Sequence, residues 1–165
     1  MKRLIFILLM FSCALSACAG APGALVYKHG DVQVLQNNDW EMITFGKEVY
    51  DTGDFYDPSY PTRLTIPEGV KLARLRGQVI FSGNPKGLRQ VVIKKNYPDL
   101  GGWYPGVPAQ TITANKRTTT DVQVTTPIIP VVEGDYFELE ALQCSGSDIG
   151  VSASVGTWFA IEIIE

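Results

Sequence analysis

The chain has 165 residues, with 14 Lys and Arg, 17 Asp and Glu and a single His, for a net charge of −3 at neutral pH. That length fits one domain with a hydrophobic core of its own. Its basic residues form no continuous stripe: Lys94-Lys95 and Lys116-Arg117 read as isolated pairs at solvated strand ends, which excludes a nucleic-acid surface.

The first element in chain order is a leader. Lys2 and Arg3 open it, an apolar run begins at Leu4, and the small residues Ser16 and Ala17 close it. A membrane-crossing helix needs about 20 apolar residues. This run stops near Ala17, before Gly20 and Pro22, and so has the layout of a secretory signal. Leu15-Ser16-Ala17-Cys18 resembles the lipobox of bacterial lipoproteins. The resemblance implies cleavage before Cys18, a diacylglyceryl group on its sulfur and an acyl chain on the new amino terminus. It leaves Cys13 in the discarded piece, so the two cysteines are no redox pair. With about 0.8 kcal/mol for each buried methylene, one chain binds a membrane reversibly and three hold firmly. Ala19, rather than Asp, follows Cys18. By the same resemblance that favours the outer membrane of the cell envelope, in a host that has one.

Without residues 1–17, which carry Lys2 and Arg3 and no acid, 12 basic residues face 17 acidic ones. The expected organisation is a signal peptide over 1–17, a lipidated Cys18 with a short tether to residue 24, and one folded domain over 25–165. Cys144 is then the one free thiol, and its place at the end of an apolar-patterned run predicts burial or a strand end.

Beyond the tether, residues alternate with period two between clusters of Gly, Pro, Asn and Asp. Val32 and Val34 alternate with polar neighbours, and so do Leu64 and Ile66. Leu75, Gly77, Val79 and Phe81 share one face of a strand, with Arg74, Arg76 and Gln78 on the other. Val91 and Ile93 repeat the pattern, followed by Val122 and Val124, then Phe137, Leu139 and Ala141 against Glu138 and Glu140, and finally Phe159, Ile161 and Ile163. Such alternation means one buried face and one more polar face, as in antiparallel sheets packed in a sandwich. The spacing predicts an all-β domain. One stretch breaks the pattern: residues 96–110, NYPDLGGWYPGVPAQ, read as a long loop with Tyr97, Trp103 and Tyr104 in it.

Five stretches together resemble the jelly-roll domain of the C1q and tumour necrosis factor superfamily, in its bacterial and phage-borne form. They are NNDWEMITFGKEVYDTGDFYDP (37–58), TRLTIPEG (62–69), GQVIFSGNPKGLRQVVIKKN (77–96), VVEGDYFELEALQCSG (131–146) and TWFAIEII (157–164). Pro67-Glu68-Gly69 and Glu133-Gly134-Asp135 supply turns between strands, and the last strand carries a buried aromatic. The resemblance implies a ten-strand jelly roll that assembles as a homotrimer, with the first and last strands near the threefold axis. It also implies binding rather than catalysis.

The residue inventory points the same way. His29 reads as a surface residue at a strand end, and Ser145 and Ser147 lack the Gly-x-Ser-x-Gly setting of a hydrolase nucleophile. Structural zinc needs about four nitrogen or sulfur ligands, and the domain offers His29 and Cys144. No cofactor is expected other than the covalent lipid on Cys18. Two candidate sites stand out. Asp51, Asp54 and Asp57 could offer oxygens to calcium, which takes six to eight, or belong to a plain connecting loop. Trp103 and Tyr104, with Tyr97, could stack on a sugar or a partner protein, or cap the sandwich. The expected function is a lipid-anchored head that binds a partner protein or a glycan. The alternative is a prophage-derived envelope protein that blocks a receptor or acts structurally.

Overall fold

The computed structural model describes residues 22–95, 109–115 and 118–164. Among them the chain forms β1 (Gly23–Tyr27), β2 (Gln33–Leu35), β3 (Trp40–Met42), β4 (Lys47–Asp51), β5 (Arg63–Thr65), β6 (Leu72–Phe81) and β7 (Leu88–Lys95). Then follow β8 (Ala109–Thr113), β9 (Thr120–Thr125), β10 (Ile129–Pro130), β11 (Tyr136–Gln143), β12 (Ile149–Val151) and β13 (Trp158–Ile163). The count exceeds the expected ten because five of these strands are only two or three residues long.

All the pairings are antiparallel. The larger sheet runs β2-β12-β6-β13-β1-β4, with β9 and β10 on the far side of β6; the smaller runs β3-β11-β7-β8, with β5 also on β11. β6, ten residues long, is the spine of the larger sheet, pairing with β13 over residues 73–78 and with β9 over 76–81. Its alternation does what the sequence predicts: every second residue from Ala73 to Phe81 is buried, and the residues between are half-buried.

The core lies between the sheets. Leu75, Val79 and Phe81 from β6 meet Phe137 and Leu139 from β11 and Phe159 and Ile161 from β13, all fully buried. Phe45 stacks on Phe159 with ring centres 6.0 Å apart. Gly77 lets the sheets approach closely, since a Cβ there would lie 2.7 Å from a Leu139 methyl. The predicted turns occur at residues 68–69 and 133–134. His29 is exposed just past β1, in edge contact with Tyr27. Cys144 is a free, half-buried thiol directly after β11.

Three expectations are corrected. Val32 and Val34 do not form a buried strand face, being 57% and 58% exposed. Lys94 and Lys95 are not solvated: their side chains are only 11% and 10% exposed, and each meets an acid. Nor does β11 turn a solvated polar face outward, because Glu138 and Glu140 are as buried as its apolar residues. The reason is mutual neutralisation, since ionic side chains tolerate burial only when paired. Lys116-Arg117 lies outside the described residues.

Candidate functional site

The outward face of the larger sheet is built from residues that the alternation turns away from the core. Register places Tyr50, Leu25, Ala160, Arg76 and Thr125 in one row across β4, β1, β13, β6 and β9. The next row holds Lys47, Tyr27, Trp158, Gln78 and Gln123. The face therefore grades from apolar around β1 to polar at β6 and β9, with Lys47 placing a charge at the β4 edge. Val49 and Tyr50 stay exposed at its apolar edge.

On the polar side a groove of about 380 Å³ is lined by Arg74, Arg76, Gly77, Gln123, Val124, Thr125 and Trp158. Glu162 stands opposite Arg74 in register, with its Oε2 3.8 Å from Arg74 Nη1 and 3.4 Å from Arg76 Nη2. Gln78 donates to the Gly156 carbonyl at 2.6 Å and accepts from Gln123. None of this constellation was singled out as a site in the sequence. Arg74 and Arg76 were legible as neighbours on one strand face, but Trp158 and Gln123 join them only through pairing of distant strands.

The smaller sheet carries a different cluster. Lys94 Nζ lies 2.5 Å from Glu140 Oε2, and Lys95 Nζ 2.6 Å from Asp135 Oδ2. Thr62 donates to Glu138, whose carboxylate also faces Arg63 at 4.0 Å. The Arg63 guanidinium lies between the rings of Tyr60 and Tyr136, 4.7 and 4.2 Å from their centres. Burial pushes the Glu140 carboxyl above its ordinary range, Lys94 pulls it back in part, and Glu138 and Asp39 add to the rise. These side chains are committed to one another across β5, β7 and β11, and the cluster acts as a structural seam.

Of the predicted site residues, Asp51, Asp54 and Asp57 fall in and after β4. Asp51 accepts from the backbone N–H of Gly53 at 3.0 Å and of Tyr56 at 2.8 Å, so both its oxygens fold the loop. Asp57 accepts from Ser59 N–H at 2.8 Å. Tyr56, buried beneath this loop, donates its hydroxyl to the Phe45 carbonyl at 2.7 Å. Its phenol is pushed up by burial, and further by the charges of Glu48 and Asp57. The three aspartates are not brought together: no group of three His, Cys, Asp or Glu able to hold a metal ion occurs among the described residues. Cys18, Tyr97, Trp103 and Tyr104 lie outside the described residues.

No family model matches the chain, and no curated protein does either. Solved structures do match. The crystal structure of murine APRIL at pH 8.5 superposes with a TM-score of 0.63 at 11% identity, covering 88% of this chain and 100% of that one. Eiger TNF from S. frugiperda gives 0.59 at 7% identity, over 88% of this chain and 93% of that one. The fold is a TNF-like jelly roll. At such identities the likeness extends to the fold alone, and the jelly roll leaves function to its surfaces.

Proposed function

We propose that the protein is a lipid-anchored envelope protein whose jelly-roll head forms a homotrimer and binds a partner protein or a glycan. The observation that carries this reading is the graded outward face of the larger sheet. Its apolar part includes Leu25 and Tyr27 on the first strand, paired with Ala160 and Trp158 on the last, the two strands that the family resemblance sets near the threefold axis. Burying exposed apolar side chains is the main driving force for such contacts, at about 25 cal/mol for each Å² removed from water. The polar remainder at β6 and β9 is left for recognition.

Assembly is tested with residues 20–165 made without lipid. Light scattering coupled to size exclusion is expected to give three times the protomer mass. A single protomer mass at tens of micromolar removes the trimer from the reading.

The anchor rests on the lipobox resemblance at Leu15–Cys18. Cys18→Ser is expected to abolish palmitate labelling and to leave unprocessed precursor, while Cys13→Ser does neither. Equal labelling of the two variants would remove the anchor.

A further inference from the structure

One end of the sandwich gathers the start of β1, the end of β13 and the turns beside them. The Ile163 N–H donates to the Pro22 carbonyl, the Ile164 N–H to that of Leu72 and the Val131 N–H to that of Lys71, each at 2.9 Å. Pro22, Ile164, Leu72 and Val131 therefore follow one another across this end. Val132 is 65% exposed and Ile164 44%, and half-buried Leu72 lies between Ile164 and exposed Pro130. Val132 is held on a fixed turn. Its N–H donates to Asp135 Oδ2 at 2.9 Å, its carbonyl accepts from the Asp135 N–H at 3.1 Å, and the Gly134 N–H ties the turn to the Ile66 carbonyl at 3.0 Å. The threefold contact takes the faces of β1 and β13, whereas Val132 and Ile164 lie past the last residues of their strands.

We propose that this apolar rim rests on the lipid surface, with Val132 and Ile164 set between the headgroups. The inference deepens the reading of an anchored head and rests on it. Reach is the first argument. Four residues lead from Cys18 to Pro22, and an extended chain spans at most about 3.3–3.6 Å per residue, about 14 Å in all. A lipid on Cys18 thus keeps Pro22, and the rim beside it, within that distance of the membrane. Symmetry is the second. A closed threefold assembly sends three tethers out of the same end, and three anchors in one membrane hold its axis upright. All three rims then face the lipid together. Charge is the third. Exposed Glu68 and Glu133 outnumber Lys71 on the two turns of the rim, so a zwitterionic headgroup layer suits it and an anionic one does not. Attachment there comes from burying apolar side chains in the interface.

The lipidated full chain in phosphatidylcholine vesicles tests this, with tryptophan placed at one position at a time and the wild-type emission subtracted. Leu88 is the control, because it is 46% exposed at the far end of β7, whose eight residues span about 25 Å. The near end of β7 is Lys95, which pairs with Phe137 just after the Val132 turn. Lipid brominated high in its acyl chains is expected to quench Val132→Trp and Ile164→Trp at least about twofold more than Leu88→Trp, since interfacial side chains sit about 5–10 Å into the headgroup boundary. All three side chains are exposed, and melting temperature is expected to stay at its wild-type value. Equal quenching at the three positions, or none at 132 and 164, overturns the rim; with palmitate still incorporated, it leaves the anchor standing. Six times the protomer mass for residues 20–165 made without lipid also overturns it, because a second trimer then covers the rim. A chain that takes no palmitate removes the anchor and the rim with it.

Discussion

Lys94→Met is expected to destabilise the head by about 3–5 kcal/mol at pH 7.5, and by clearly less at pH 5. The substitution keeps the apolar stem and removes the charge paired with Glu140, whose side chain is 5% exposed. Removing one partner of a buried pair leaves the other charge uncompensated, at a cost of about that size. The pH dependence follows from the direction of the Glu140 shift. Burial holds its carboxyl above the unfolded value, so the folded state binds more protons in the window between the two pKa values. Its contribution to stability is therefore full below the unfolded pKa and is lost as pH rises through the folded one. Loss of Lys94 lifts the folded pKa further, which widens the window and deepens the loss at its alkaline end. Urea denaturation of wild type and variant at the two pH values measures the difference. The double variant Lys94→Met/Glu140→Leu is expected to recover most of the stability, since a buried pair replaced by apolar groups is often neutral. An equal loss at both pH values would mean that the pair is not what holds the seam.

That seam also marks where the sequence stops being informative. Alternation along β6 assigned Leu75, Gly77, Val79 and Phe81 to the core correctly, because one face of that strand is apolar and the other is not. The same reasoning placed Val91, Ile93, Phe137, Leu139 and Ala141 in the core correctly but misread the opposite face of β7 and β11. Glu138, Glu140 and Lys94 look like a solvated face in any single strand, and only pairing β11 with both β7 and β5 reveals that acids and bases cancel there. The groove had the same fate for the same reason. Arg74 and Arg76 are visible on one strand face, but Trp158 and Gln123 reach them through register between strands far apart in the chain. At the aspartate triplet the sequence left two readings open, a cation site and a plain connecting loop. Three acids within seven residues suggested a cation, whereas the Asp51 and Asp57 carboxylates accept hydrogen bonds from the loop's own backbone. The turn before β11 was legible because Glu133-Gly134-Asp135 is local chemistry, with Asp135 accepting from the Val132 N–H at 2.9 Å.

Gly87→Ala is expected to cost at least about 3 kcal/mol, and Gly134→Ala only about 1 kcal/mol. Both glycines have positive φ, +72° and +82°, where a side chain costs about 1–2 kcal/mol through its contact with the backbone. They differ in what a Cβ would meet. At Gly134 nothing lies within 4 Å, whereas at Gly87 the Cys144 carbonyl oxygen would be 1.5 Å away. That oxygen belongs to main chain and has little room to retreat. Cys144 N–H donates to the Leu88 carbonyl at 3.1 Å, so residues 87–88 and 144 are already fastened together. Arg89 holds the loop from the other side. It is fully buried and donates through Nη1 to the carbonyls of Lys86 and Leu88 and through Nη2 to that of Asn84. Burial lowers its pKa, partly offset by Cys144, although an arginine keeps its charge at any ordinary pH. To admit a methyl group the 84–88 segment would have to lift off residue 144 and break some of these bonds. Overpacking of this kind adds about 1–3 kcal/mol to the backbone strain. Melting curves of the two alanine variants decide the matter, because Gly134 reports the strain alone and Gly87 the strain plus the collision. Equal shifts in melting temperature would show that the loop can move aside, and that Arg89 does not hold it.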